Sequence, residues 1–413
     1  MRHVIIGSSA AGIAAAAEIR KHQKDAVIVM ISKDEHVHSR CMLHKYISHE
    51  RDVKGLDFTE ENFFEKQKVD YIQNEVTSVL EDQKCVMLRS GEQISYDKLL
   101  IASGAGSFIP PTGDLRTAEN VFGMRNLPDV QAIDKMADSA QNVLIIGAGL
   151  VGMDAAYAML ERGKKVTVLE MSHRILPVQL DAHSAEVYQR KFESEGTIFY
   201  LGRRLEKTIC GAGGKICRVV LDTGENIDCD MIIVAAGVRP TIDFLDKSKI
   251  EAGRGILVDA CLQTNISDIY AAGDVIGLSG IWPNAVKQGI VAARNMCGMA
   301  EKYTDTFNEK NMMNFFGIVT LYLGQICTRK DEVVLTEEDR NVYRRVSIRE
   351  GKVTGVLLQG DISNAGVWQY LIKNEIDISH IKKNVFQISY ADFFSVKADG
   401  EYSWKRERQN FKL

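Results

Sequence analysis

The stretch Asn142-Val143-Leu144-Ile145-Ile146-Gly147-Ala148-Gly149-Leu150-Val151-Gly152-Met153 decides the architecture of this chain. Asn142 to Ile146 reads as a strand, Gly147 to Gly152 is a complete G-x-G-x-x-G run, and Met153 to Arg162 carries a helical pattern. Val166-Thr167-Val168-Leu169 reads as the returning strand of a βαβ unit. Small residues in the turn let backbone N–H groups and a helix N-terminus approach a pyrophosphate. The layout therefore predicts a dinucleotide site on Gly147, Gly149, Leu150, Val151 and Gly152. The returning strand ends in Glu170, 23 positions after Gly147, near the separation of an acid that accepts hydrogen bonds from a ribose 2′-OH. A carboxylate there repels a 2′-phosphate and favours NAD(H), while His173-Arg174 just beyond keep NADP(H) open. The competing reading of Glu170 is a solvated strand-end acid.

The beginning of the chain repeats this layout. His3-Val4-Ile5-Ile6 is a short strand, Gly7-Ser8-Ser9-Ala10-Ala11-Gly12 a turn, Ile13 to Lys24 an alanine-rich helix, and Ala26 to Ile31 a second strand. Ser9 replaces the middle glycine, so Gly7, Ser9, Ala10, Ala11 and Gly12 form a looser version of the motif. Two such openings about 140 residues apart predict two nucleotide domains, with electrons passing between two dinucleotides. That is the arrangement of a flavin–nicotinamide oxidoreductase.

The rest of the composition agrees. The chain has 413 residues, enough for two or three domains, and is 45% hydrophobic and 26% charged. Its 51 basic and 55 acidic residues give a net charge of −4, which argues against nucleic acid as a partner. The eight cysteines form no C-x-x-C pair, so neither a zinc cluster nor a disulfide framework is expected. No apolar run is long enough to span a membrane. Val4 to Ala17 imitates a signal peptide, but its glycine pattern explains it better, and a cytoplasmic location is expected. Gly211-Ala212-Gly213-Gly214, between two strand-like runs, reads as a hairpin turn rather than a phosphate loop.

Several further motifs resemble the pyridine-nucleotide-linked FAD oxidoreductases of the disulfide reductase superfamily. Leu99 to Ala105 is similar to the strand and turn closing that family's first FAD segment, with Ala102, Ser103 and Gly104 at the turn. Ile232 to Pro240, containing Gly237, is similar to the crossover ending its NAD domain. Ile269 to Val275 resembles the signature in which Gly273 precedes an aspartate, here Asp274, that hydrogen-bonds the FAD ribitol; an N-cap aspartate is the plainer reading. Trp282-Pro283-Asn284-Ala285 resembles the helix start beside the flavin, and Asn74-Glu75-Val76 the segment contacting adenine. Ser32 stands where the family carries a glutamate for the FAD ribose, so Asp34 or Glu35 is expected to substitute. The resemblance implies an α/β fold with two Rossmann-like three-layer domains and a C-terminal α+β domain. FAD would be held by residues 1–112 with 241–306, and NAD(H) by 113–240. Residues 307–413 would contain a hairpin of Tyr343 to Ile348 and Val353 to Leu358.

The reacting centre is expected in His38-Ser39-Arg40-Cys41-Met42-Leu43-His44-Lys45-Tyr46-Ile47. In the branch that reduces small iron proteins, Arg40, Leu43 and Lys45 match, and Lys45 is expected to pair with Asp154. Such a cation would stabilise a reduced anionic ring; a surface lysine is the plainer reading. In the branch that includes coenzyme A-disulfide reductases, Cys41 would be a redox-active thiol. A helix N-terminus and Arg40 would lower its pKa, whereas the alternative is a packed cysteine. The oxidase and peroxidase types carry a histidine where this chain has Ala10, and the glutathione reductase type a C-x-x-x-x-C pair that is absent. NADH passing electrons through FAD to a rubredoxin- or ferredoxin-like iron–sulfur or iron carrier ranks first. A thiol or coenzyme A-disulfide reductase is second, and an NAD/FAD-binding redox sensor third. Lys382-Lys383 and Lys405-Arg406 with Arg408 are the basic groups that would meet an acidic carrier. A homodimer through the C-terminal domain is left open.

Overall fold

The computed structural model describes residues 1–404 except positions 279, 306, 308, 327, 328 and 397. Cys327, Lys405, Arg406 and Arg408 lie outside the described residues. Short β-branched and leucine-rich runs form two separate five-stranded parallel sheets. In the first, Arg2–Ile6 is flanked by Val27–Ser32 and Lys98–Ile101, with Val69–Gln73 and Ile269–Ala271 at the edges. Ile5 stands opposite Met30 on one side and Leu100 on the other, and all three are fully buried. Strands covered on both faces explain why these runs are continuously apolar rather than alternating.

The second sheet repeats the scheme around Asn142–Ile146, flanked by Lys165–Glu170 and Met231–Val234, with Ile198–Leu201 and Val121–Gly123 outside. A two-stranded antiparallel link, Ala105–Ser107 with Val238–Pro240, joins chain segments on either side of this sheet in sequence. The hairpin reading of the Gly211 region is borne out: Leu205–Cys210 and Ile216–Leu221 pair antiparallel, with Gly213 and Gly214 at positive φ in the turn.

By contacts the chain divides into two units, 1–175 with 193–308, and 176–192 with 309–413. The second holds a five-stranded antiparallel sheet ordered Lys310–Phe315, Ile318–Gly324, Lys352–Gln359, Val342–Arg349, Val333–Asp339, with the helix Ala365–Lys373. The expected hairpin is there as Val342–Arg349 and Lys352–Gln359, turning at Glu350 and Gly351, both at positive φ. Segment 176–192 lies within the 113–240 stretch in sequence, yet it joins this unit through contacts such as Tyr343 Oη donating to Asp181 Oδ2 at 2.8 Å. No helix among the described residues is long and apolar enough to cross a membrane.

Candidate active site

Both glycine turns obey the same steric logic. Gly7 has φ +106°, and a methyl on it would stand 2.2 Å from the Ala102 carbonyl oxygen; one on Gly12 would stand 1.9 Å from that of Gly7. Gly147 has φ +105° and Gly152 repeats the 1.9 Å conflict, with the Gly147 carbonyl. These four glycines hold helix against strand. The middle position differs. Gly149 is the N-cap of the Leu150–Glu161 helix, and a methyl there meets nothing within 4 Å. Ser9 occupies the same place before the Ala10–His22 helix in ordinary extended backbone, φ −98° and ψ −164°. The middle position therefore faces open space where a pyrophosphate would come. Gly237, φ +101°, is likewise open. At the end of its strand, Glu170 accepts from the Ala148 N–H and the Ser172 N–H, both at 2.7 Å, which fixes its carboxylate beside the second turn.

The first turn opens on a cleft with about 1190 Å3 of empty volume. Of the residues singled out from the sequence, Gly7, Ser9, Ala10, Ala11, Asp34, Arg40, Cys41, Val76, Ala102, Ser103, Gly104, Gly273, Asp274 and Ala285 line it. Asp34 receives Arg40 Nη2 at 2.9 Å, and that guanidinium also donates to Asn126 Oδ1 at 3.2 Å. Glu35 does not line the cleft; its side chain is 71% exposed and lies near His36, so of the two acids weighed only Asp34 is placed for a ribose. Asp274 opens a 3-10 turn, Asp274–Ile276, without a side-chain capping bond, which corrects the N-cap reading. It is held instead by Arg125, whose Nε donates to the Ala105 carbonyl at 3.1 Å.

Arg125 is the main residue that the sequence did not reveal: it stands 149 positions from Asp274 in a loop with no motif. His38 is another. Its Nδ1–H donates to the His36 carbonyl at 3.0 Å while Nε2 accepts from the Leu127 N–H at 3.3 Å, an arrangement that requires the neutral ring. Burial, then the Arg40 charge, hold its pKa below the usual histidine range.

The reacting stretch departs from expectation in three ways. Cys41 sits in a 3-10 turn, Arg40–Met42, ahead of a helix only five residues long, Leu43–Ile47. Cys41 is exposed to the cleft, yet the protein around it shields the thiol from bulk water. That burial pushes its pKa up rather than down; Asp154 and Asp274 add to the rise, against Arg125 and Arg40. Lys45 does not pair with Asp154. Its Nζ lies 2.5 Å from Glu50 Oε1, and it makes no ion pair with Asp154. Instead Asp154 Oδ2 lies 3.8 Å from His44 Nδ1. Burial lifts the Asp154 carboxyl to about 7, with Lys45 pulling the other way, and burial with Lys45 lowers His44 to about 4. At neutral pH this contact joins a neutral ring to a carboxyl near its midpoint, and is no ion pair. Of the basic groups expected to meet a partner, Lys383 is engaged with Asp392 at 2.6 Å.

Residues 1–289 match the family described as pyridine nucleotide-disulphide oxidoreductase. The chain belongs to that family. Residues 310–376 further match the rubredoxin NAD+ reductase C-terminal domain. An NADH oxidase of Methanocaldococcus jannaschii is 35% identical over 332 residues, 75% of this chain and 72% of that one. An NADH-rubredoxin oxidoreductase of Clostridium acetobutylicum is 28% identical over 366 residues, 87% of this chain and 91% of that one. The crystal structure of the NADH:rubredoxin oxidoreductase from Clostridium acetobutylicum superposes with a TM-score of 0.75 at 25% identity, covering 92% of this chain and 97% of that one.

As a member of the pyridine nucleotide-disulphide oxidoreductases, the protein is an FAD-dependent NAD(P)H oxidoreductase. Its residues fit both cofactors. Two glycine turns leave room at the middle position, and a carboxylate able to accept from a ribose hydroxyl stands by each: Asp34 in the cleft, Glu170 beside the second turn.

Proposed function

We propose that this oxidoreductase passes electrons from NADH through FAD to a small iron protein of rubredoxin or ferredoxin type. The observation that carries the reading is the match of residues 310–376 to the C-terminal domain of rubredoxin NAD+ reductases. The NADH-rubredoxin oxidoreductase relative, aligned over 91% of its own length, supports it. FAD, when bound, accepts a hydride from nicotinamide and releases electrons one at a time, which couples a two-electron donor to a metal centre.

The chain's own residues supply the setting. Residues 1–112 and 241–306 hold FAD, with the Gly7 turn on the pyrophosphate, Asp34 and Arg40 toward the adenosine ribose, and Asp274, kept in place by Arg125, on the ribitol. Residues 113–240 hold NADH, with Glu170 on the ribose 2′-OH, where a 2′-phosphate would meet a carboxylate. The 307–413 segment is the interface domain. Cys41 stays a thiol at neutral pH, and among the described residues no second cysteine lines the cleft, so dithiol exchange has no partner there. Ala10 offers no histidine to an oxidase chemistry.

An anaerobic NADH titration of the FAD-loaded protein, run beside Cys41→Ser, tests the reading. Flavin bleaching and rubredoxin reduction should survive the substitution. Loss of turnover in the variant, with coenzyme A disulfide consumed by the parent, would make the protein a thiol reductase instead.

A further inference from the structure

Beside the Ala105–Ser107 and Val238–Pro240 link lies a second, open cleft of about 2050 Å3. Three guanidiniums line it, those of Arg116, Arg239 and Arg254, against a single acid, Asp243. None of the three makes an ion pair among the described residues, in a chain whose net charge is −4. Unpaired surface cations are ordinarily mobile and solvated, but two of these are held. Arg116 Nε donates to the Ile109 carbonyl at 2.9 Å, and the Arg239 guanidinium carbon stands 4.1 Å from the Phe108 ring centroid. Fixing a cation without neutralising it keeps its charge available and removes part of the ordering cost a partner would meet.

The surface between the cations suits a macromolecule. A methyl on Gly106 or Gly237 would meet nothing within 4 Å, so a partner can approach the backbone closely. Val238 on the lining is 43% exposed, an apolar contact amid the charges. Thr241 and Asp243 belong to the walls of both this cleft and the one assigned to FAD. A body seated here therefore rests against the outer wall of the cofactor site.

We propose that this arginine-lined cleft is the docking face for an acidic iron protein; the inference rests on the electron-carrier reading above. Each NADH would reduce two oxidised one-electron carriers, giving NAD+, one proton and two reduced carriers. Complementary charge raises the association rate and fixes orientation, and arginine is favoured where binding energy concentrates.

The test uses the full-length, FAD-loaded protein with Arg116, Arg239 and Arg254 all changed to glutamate, and a milder variant with all three changed to glutamine. Two acceptors are compared, menadione, which is small and uncharged, and oxidised rubredoxin, which is acidic. Turnover with menadione should match the parent in both variants. The kcat/KM for rubredoxin should fall about tenfold or more in the glutamate variant and less in the glutamine one. The parent's loss of rate between roughly 50 and 300 mM salt should flatten in both. Should the glutamate variant lose menadione turnover as well, the glutamine variant decides. Parental kcat/KM and salt dependence with rubredoxin in a variant that keeps menadione turnover would remove this cleft as the docking face. A parent that reduces menadione but neither rubredoxin nor ferredoxin would remove the electron-carrier reading itself, and the docking face with it.

Discussion

Replacing Asp154 by asparagine should leave the protein nearly unchanged below about pH 4 and stabilise it by an amount that grows until about pH 7. Burial raises the carboxyl from 3.8 to about 7, and Lys45, engaged by Glu50, offsets this only in part. An acid whose folded pKa lies above its unfolded value binds its proton more tightly when folded. The stability it contributes is therefore complete below about pH 4 and is lost as pH rises through about 7. At 1.36 kcal/mol per pH unit, the gap from 3.8 to about 7 corresponds to roughly 4 kcal/mol. The side chain keeps 28% exposure, so that figure is a ceiling. Asparagine has nearly the same shape and no charge to desolvate. Urea unfolding of parent and variant between about pH 5 and pH 8.5 should give profiles that diverge upward, with the variant ahead by about 2–4 kcal/mol at the alkaline end. His44 does not confuse the comparison, because its pKa near 4 keeps it neutral across this window. Parallel profiles, or a variant less stable at pH 8.5, would refute the claim that Asp154 is a desolvated carboxyl without an ion partner.

Three other outcomes follow from the site. Gly152→Ala puts a methyl 1.9 Å from the Gly147 carbonyl and should cost about 3 kcal/mol or more, whereas Gly149→Ala, with open space around it, should cost only about 1 kcal/mol, the difference between glycine and alanine at an N-cap, yet weaken NADH binding. Thermal unfolding and NADH titration separate the two, and equal destabilisation would contradict the assignment. Cys41 should react with iodoacetamide more slowly at pH 7 than free cysteine and speed up toward alkaline pH; Asp154→Asn should quicken it, because the carboxylate helps hold the thiol protonated. Mass-spectrometric labelling rates decide this, and a fast thiol at pH 7 would restore the thiol branch. Arg125→Met leaves Asp274 without its cation and should lower FAD affinity roughly tenfold, read from flavin retained after dialysis; undiminished retention would leave Arg125 outside the FAD site.

What the sequence made legible is what obeys a local rule. Runs such as Val4-Ile5-Ile6 and Leu99-Leu100-Ile101 are apolar without alternation because the parallel sheet covers both faces, so period and length alone identify them. The hairpin at Glu350-Gly351 was legible for the same reason: two strand patterns separated by a residue that tolerates positive φ. The pairings at the reacting centre obey no such rule. Lys45 finds Glu50, five residues away, rather than Asp154, and no local pattern in the sequence distinguishes the two acids. Arg125 and Asp274 meet across 149 residues, and segment 176–192 packs with 309–413; both depend on how the elements assemble. The Cys41 pKa rises where the sequence predicts a fall, because burial in the cleft outweighs the neighbouring arginines and the thiol sits in a 3-10 turn rather than at a helix N-terminus.

The two glycine turns also explain why a degraded fingerprint keeps its fold. The motif combines two demands that act on different residues. Its first and last glycines answer to protein: each would drive a methyl into a carbonyl oxygen at 2.5 Å or less, so any larger residue separates helix from strand whether or not a ligand is present. Its middle residue answers to nothing in the protein, since no atom of it lies within 4 Å of a methyl on Gly149. Ser9 keeps a φ of −98°, which any residue adopts without strain, so the substitution leaves the turn intact and puts a hydroxyl at the position that a pyrophosphate would pass. In a turn of this kind, Gly7 and Gly12 carry the evidence for the fold, and the residue between them reports only how closely a phosphate is approached.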